Sequence, residues 1–462
     1  MPMNRRVAVM VIFLFLQHLT TGTITEGGDD LPPVEYRKAT LDNGLRIIMV
    51  EHHELPIAAI ELLVGTGSAQ DPQEMPGLAN LTAQLLREGT RSKNTEEISE
   101  EIDFIGARLD MDCDYDSTSV SSTALVRHFG TILDLLSEVA RYPSFPAQEI
   151  ETQRDKALAS ILREKDNKRS IAERHFSQML YGAHPYNHPP IGTTEGLKAV
   201  TREEILEFHK RHYLPNNSIL TVVGDIDPAK TLAAIKETFG DWEAGELQEP
   251  VMPSTPKISG YRIRLVDKPD LTQTEIRVGH LGIERTDADY FPLLLMNSIF
   301  GRGPTSRLYT EIRAERGLSY GVSSRFDARR LRGPFYIRTY SKNETALEAL
   351  WLVLDQLRKL KSGGVTEEEL SDAKAYHIGH FPLGLETPTQ IASKIIDQEF
   401  YGLPDDYLET YLENIRAVSR EDINRTARRL LDPENLVIVL VSRAADTLKD
   451  AQTLGKVELK GL

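Results

Sequence analysis

Two stretches in the early part of this chain recur later, displaced by almost the same distance. NGLRIIMVEHHELPIAAIELLVGTG at 43–67 resembles GYRIRLVDKPDLTQTEIRVGHLG at 260–282, with Arg46 on Arg262 and Ile60 on Ile276 at an offset of 216. VTREEI at 200–205 resembles VSREDI at 418–423, and PNNSILTVVG at 215–224 resembles PENLVIVLVS at 433–442, both at an offset of 218. Register kept at both ends of so long a span points to two homologous halves. Between them lies EAGELQEPVMPSTPKIS (243–259), rich in Pro, Ser and Glu and without hydrophobic periodicity, which reads as a linker. At 462 residues the chain is too long for one core, and its 40% hydrophobic content is that of a globular protein.

Periodicity predicts strands at 45–50, 57–64, 108–112 and 117–125, and helices at 77–87, 95–105, 129–140 and 147–165. A further helix follows Thr201, and residues 217–223 read as a strand that is apolar throughout. The fold expected is α+β: two halves, each a mostly antiparallel sheet with helices packed on it. Their boundaries fall at 35–242 and 260–462, with the linker 243–259 between them. Two halves joined in this way commonly bind a ligand in the cleft between them.

The N-terminus has two arginines, an apolar run at 7–16 and then small polar residues. This matches a secretory signal cut after Gly22, followed by a flexible lead at 23–34. The run is too short to span a bilayer, which needs roughly 20 residues. An uncleaved membrane anchor is the alternative. The expected location is therefore exported, periplasmic or extracellular, with no stable membrane span once the signal is removed. Its loss takes the net charge from −15 to −17. So acidic a chain repels phosphate, which argues against nucleic-acid binding. Its one cysteine, Cys113, excludes an internal disulfide and a cysteine-based zinc site.

Histidines offer few ligand pairs. His209 and His212 are one turn apart on a predicted helix. His184 and His188 lie in a Pro-rich loop, and His52 and His53 in a turn. Structural or solvated roles explain all six. There is no G-x-S-x-G and no phosphate loop; the GRG at 301–303 lacks the lysine of a nucleotide site.

Several segments, in order, resemble the pitrilysin family of zinc metallopeptidases, which includes insulin-degrading enzyme and the mitochondrial processing peptidase. They are LDNGLRIIMV, VGTGSAQDPQEMPGLANLTAQLLREGT, YGAHPYNHPPIGT (181–193), FHKRHYLPNNSILTVVGDI (208–226) and SRLYTEIRAERGLSYGVSS (306–324). The likeness runs from about Leu41 to about Val441. It implies that each chain forms half of a clam-shell chamber. Active members carry H-x-x-E-H on the helix equivalent to 77–87, with a distant Glu as third protein ligand. The matching positions here are Asn80, Ala83 and Gln84, and the distant ligand falls on Ser160. Amides, a methyl group and a hydroxyl do not replace imidazoles and carboxylates on zinc. A one-turn shift would offer Glu164, a lone carboxylate. No metal or cofactor is therefore expected in this chain.

What the family keeps in its second half is kept here. Arg313 and Tyr320 match an Arg and a Tyr that, by resemblance, reach across to a zinc site and hold the substrate and its developing oxyanion. On the residues alone, Arg313 pairing with Glu311 or Glu315 and Tyr320 lying in the core are equally open. The loop with Gly301, Arg302 and Gly303 lies where the non-catalytic processing-peptidase subunit has a substrate-handling glycine-rich loop; a plain helix stop is the alternative. The resemblance thus implies a non-catalytic subunit of an exported heterodimeric zinc peptidase. Its partner would be a homologous chain with the intact motif and the zinc, and its substrates peptides. A peptide-binding or scaffold protein without proteolysis, and an active peptidase with an unusual metal site, are the alternatives.

Overall fold

The computed structural model describes residues 34–248 and 252–461. The expected signal, all of the lead before Val34, and residues 249–251 of the linker lie outside these. The first half builds a six-stranded sheet from β1 (Arg37–Thr40), β2 (Arg46–Glu51), β3 (Ile57–Val64), β4 (Arg108–Cys113), β5 (Thr118–Leu125) and β6 (Ser218–Gly224). The second uses β7 (Tyr261–Asp267), β8 (Gln273–Leu281), β9 (Val322–Phe326), β10 (Pro334–Lys342), β11 (Leu436–Ser442) and β12 (Val457–Gly461). The spatial orders are β1-β2-β6-β3-β5-β4 and β12-β7-β11-β8-β10-β9, so five strands correspond one to one. The sixth differs. β1 precedes β2 in the chain and lies antiparallel to it, whereas β12 comes from the chain's end and runs parallel to β7. Otherwise only β2–β6 and β7–β11 are parallel.

The central strands, SILTVVG and LVIVLVS, are buried at every residue. A strand that apolar needs cover on both faces. In the first half one face carries that half's own helices, in a core with Leu45, Ile60, Leu62 and Val222. The other face is covered from the second half. The helix Pro388–Phe400 lies across β3 and β6, setting Ile391, Ala392, Ile395 and Ile396 against Ile48, Val50, Leu63, Ile219 and Val223. The exchange is reciprocal. Helix Lys168–Tyr181 of the first half lies across β8 and β11, setting Ile171, Ala172 and Phe176 against Val266, Val437, Val439 and Val441. Each such side chain gains on the order of 1.5–3 kcal/mol from burial. Neither half closes its own core, and residues 34–462 form one compact unit.

A buried polar cluster reinforces the interlock. Asp116 of the first half accepts the Tyr186 hydroxyl and, at 3.0 Å, the Arg330 backbone N–H of the second. Arg329 stacks over Tyr115 at 3.6 Å and pairs with Asp327 at 2.7 Å. The Tyr181 hydroxyl donates to the Arg332 carbonyl at 3.1 Å. The YGAHPYNHPPIGT loop thus supplies Tyr181 and Tyr186 to the first half's side of the seam, beside Tyr115 and Asp116.

Candidate functional site

The helix Leu78–Leu85 begins at Gly77, whose φ of +109° suits glycine; a Cβ there would also stand 2.8 Å from the Ile191 carbonyl. Its first-turn donors are met by Asp71, which accepts from Gly77 N at 2.6 Å and Ala79 N at 2.7 Å. Burial pushes the Asp71 carboxyl up to about 8, against the pull of those two N–H groups.

Along this helix Ala83 is fully buried and Asn80 and Gln84 are half-buried. Gln84 Nε2 donates to the Met111 carbonyl at 3.2 Å, and Arg87 donates to the Leu109 carbonyl at 3.1 Å. Both acceptors lie on β4, the last strand of its sheet. Ser122 Oγ of β5 reaches the Arg108 carbonyl at 2.6 Å, so that carbonyl faces the sheet and the alternation turns those of Leu109 and Met111 outward. The helix therefore binds the free edge of β4. Gln153 on the helix Ala147–Glu164 donates to Glu88 at 2.7 Å. Ser160, on the same helix, is half-buried and its hydroxyl makes no hydrogen bond among the described residues. Glu164 is committed to Arg174 at 2.9 Å.

These residues do not fit zinc. The Gln84 amide is used as a donor to the backbone, and Ala83 offers no electron pair. Among the described residues no three His, Cys, Asp or Glu side chains converge as a metal site. Three of the candidate histidines have structural partners, whereas His52 Nδ1 is buried without one among the described residues. His209 Nε2 contacts the Ala140 carbonyl at 2.8 Å and stacks on Tyr213, and burial drops it to about 4. His212 contacts Thr66 at 3.4 Å, while His184 accepts from the Tyr186 N–H at 3.1 Å.

In the second half, Arg307–Tyr309 runs into a π-helical turn, Thr310–Glu315, held by buried Leu308 and Ile312. Turns of this kind are frequent at functional sites. Arg313 lies in it, exposed, its guanidinium 4.8 Å from the Tyr309 ring centre. It makes no ion pair among the described residues, because Glu311 is bound to Arg316 at 3.4 Å. Tyr320 is 78% exposed and has no hydrogen-bond partner among the described residues. Of the two readings the sequence left open for each, neither a local ion pair nor a core tyrosine is found.

Gly301 is pressed against β9: a Cβ there would stand 2.3 Å from Ser324 Oγ. Arg302 is exposed, 5.7 Å from the Tyr376 ring centre, and Gly303 turns the chain at φ +94°. Beside them Asn297, on the helix Tyr290–Gly301, donates to the Ser324 carbonyl at 3.3 Å.

Sequence reasoning missed Glu61. On the face of β3 partly covered by the lent helix, it borders a cavity of about 440 Å³ with Asp110, Ser121, Thr123 and Thr389. Burial first, then Asp397 and Asp112, raise it to about 7. The only signal was a lone acid inside IAAIELLV. The Asp116–Arg329 seam was likewise unforeseen, although its YGAHPYNHPPIGT side was singled out.

The architecture is two homologous α+β halves, and comparison with known proteins gives its family. The profile of the insulinase family, peptidase family M16, matches residues 46–194, and that of the peptidase M16 inactive domain matches 199–376. A crystal structure of a peptidase M16 inactive domain from Pseudomonas fluorescens is 28% identical, with TM-score 0.83, over 88% of this chain and 98% of that one. An uncharacterized zinc protease of Mycobacterium leprae is 27% identical, covering 86% of this chain and 89% of its own. A non-peptidase homolog of Helicobacter pylori is 24% identical, covering 86% and 91%. This chain belongs to peptidase family M16. Among the described residues no helix is long and apolar enough to cross a membrane.

Proposed function

We propose that this chain is the non-catalytic subunit of an exported, heterodimeric zinc metallopeptidase acting on peptides. The observation that carries the reading is a contrast between the halves. The helix that would hold zinc turns its Gln84 amide to a structural bond, while Arg313 and Tyr320 are exposed and make no ion pair or side-chain hydrogen bond among the described residues. A guanidinium and a phenol left uncommitted are suited to an anion supplied from outside the chain. In this reading a homologous partner carries the intact motif and its metal, which supplies the activated water. Arg313 then grips the substrate, and the Tyr320 hydroxyl donates to the developing oxyanion. Peptides add as a strand at a sheet edge, where main-chain hydrogen bonds give affinity without strict sequence preference. The loop Gly301–Arg302–Gly303 lines the approach. Export rests on the basic and apolar start of the sequence.

Native pull-down of the tagged chain tests this. A stoichiometric partner of similar length bearing H-x-x-E-H, in a complex that cleaves unfolded peptides, is the expected result. A chain that comes down alone, or a complex whose peptidase activity is unchanged by Arg313→Ala, would leave a scaffold or binding role. The non-peptidase name of the Helicobacter relative gives that second reading its support.

A further inference from the structure

Strands β8 and β10 set two arginines directly opposite each other. Arg277 is the in-register partner of Arg338, so the two side chains stand together on one face of the sheet. Like charges so placed oppose one another. The face is the one the lent helix Lys168–Tyr181 partly covers, where neighbouring positions are Val437, Val439 and Val441.

Arg277 is buried; it reaches Glu173 at 3.3 Å and lies over Tyr336 at 4.5 Å. Arg338 is half-buried and has no acid of its own. Its Nε donates to Ser323 Oγ at 2.9 Å, and its two terminal nitrogens have no partner among the described residues. The lent helix adds more positive charge. Lys168 lies 4.7 Å from the Tyr340 ring centre, and Arg169 is exposed without an ion pair among the described residues. Both occupy the helix's first turn, where cations are disfavoured. The buried Glu275 faces all four cations. Arg338 is lowered, by burial first and then by the fields of Arg169 and Arg277, against the opposing pull of Tyr336 and Glu275.

The location is informative. Ser323 lies on β9, the outermost strand, three residues after Tyr320. Because Arg338 Nε is bonded to Ser323, the guanidinium lies over β9. The edge of β9 at Ser324 is taken by the helix Tyr290–Gly301, so a peptide would reach the guanidinium along the sheet face and not as an added strand there.

We propose that this strip is a subsite for a peptide carboxylate, an acidic side chain or a free C-terminus, of which Arg338 is the principal donor and Arg169 a second. The inference rests on the reading that this chain handles peptides, and it names one of their recognised groups.

The experiment is fluorescence anisotropy of the purified full chain with short, labelled, extended peptides of one neutral sequence. One is amidated, one has a free C-terminus, and one is amidated with a single internal Glu. One or both carboxylate peptides should bind about 10-fold or more tightly than the neutral one, as a charge-assisted pair implies, and their ranking tells terminus from side chain. Arg338→Gln should abolish the difference and Arg338→Lys keep part of it. Arg169→Gln, on an exposed helix position, should weaken carboxylate binding several-fold without lowering the melting temperature. Equal binding of all three peptides overturns the proposal. So does a carboxylate preference that survives Arg338→Gln in a chain that melts like the parent, or inorganic phosphate binding as tightly as the peptides. Because no partner is needed, Arg338-dependent binding with a failed pull-down would sink the subunit reading and keep the subsite. A stable partner with no Arg338 dependence would do the reverse.

Discussion

Gln84 and Asn297 make the same bond in opposite halves. Each donates its side-chain amide from a helix to a carbonyl of its sheet's outermost strand, Gln84 to Met111 at 3.2 Å and Asn297 to Ser324 at 3.3 Å. Donors and acceptors are both displaced by 213 residues. The inactive-domain profile of the family spans residues 199–376, which include Asn297 and Ser324. By the resemblance Gln84 stands at a ligand position, and it makes the structural bond that Asn297 makes in the second half. Gln84→Ala should cost about 1 kcal/mol, the net value of one such bond, seen as a small drop in melting temperature. Gln84→His should not confer zinc binding by metal analysis, because Asn80, Ala83 and Ser160 supply no further ligand. One zinc per chain in that variant would overturn this account of the helix.

The reciprocal helices make the halves interdependent. Residues 35–242 expressed alone would leave Ile48, Val50, Leu63, Ile219 and Val223 without the helix Pro388–Phe400. Residues 260–462 would leave Val437, Val439 and Val441 without Phe176. Each half is expected to aggregate alone and to become soluble on co-expression. Ile395→Ala should cost about 2–5 kcal/mol and lower the single unfolding transition of the whole chain. Two separate calorimetric transitions would show that the halves do not fold as one.

That interlock is what the sequence concealed. The repeat and the strand positions were legible because each rests on local pattern: register and periodicity. The all-apolar strand at 217–223 carried a hint, since one layer of local helices does not bury both its faces. Which helix supplies the second cover is a long-range fact, and residues 388–400 have no pattern that marks them as leaving their own half. Arg277 was hidden for a similar reason. Within TEIRVGHL it reads as an outward residue on an exposed face, and only the register with β10 brings it opposite Arg338.

Asp116 should be the most sensitive point of the seam. It is 5% exposed and holds both the Tyr186 hydroxyl and the Arg330 N–H. Asp116→Ala leaves one buried and one part-buried donor unmet, at about 2–4 kcal/mol in urea unfolding. Tyr186→Phe removes one donor and should cost about 1 kcal/mol. A smaller loss for the aspartate than for the tyrosine would contradict the arrangement.

Glu61 gives stability a pH dependence. Its folded value is raised from 4.5 to about 7, so the folded chain holds this proton where the unfolded chain has released it. The associated stability is fully present below 4.5 and is lost as pH rises through 7. Its size is on the order of 1–3 kcal/mol. Melting temperature should fall across this window, and Glu61→Gln, which mimics the protonated acid, should flatten the fall. The remaining slope belongs to groups such as Asp71, raised in the same sense to about 8. A profile unchanged by Glu61→Gln would mean that the carboxyl titrates as if in water.

Arg313 and Tyr320 differ in what each should do within an active complex. A phenol that donates only to a developing oxyanion stabilises the transition state and not the bound substrate. Tyr320→Phe should therefore lower kcat by roughly 10²-fold with KM little changed. A guanidinium that also holds the ground-state substrate contributes to both, so Arg313→Ala should raise KM as well as lower kcat, and Arg313→Lys should recover part of the binding. Neither change should unfold the chain. Tyr320 is 78% exposed, and Arg313 makes only a stacking contact with Tyr309 at 4.8 Å, worth about 0.5–1 kcal/mol at an exposed site. Equal melting temperatures with unequal kinetics would separate these roles from a structural one. Steady-state rates of the mixed complex that both substitutions leave untouched would remove Arg313 and Tyr320 from the chemistry, and the exposed tyrosine would then have to be explained as a contact with the partner.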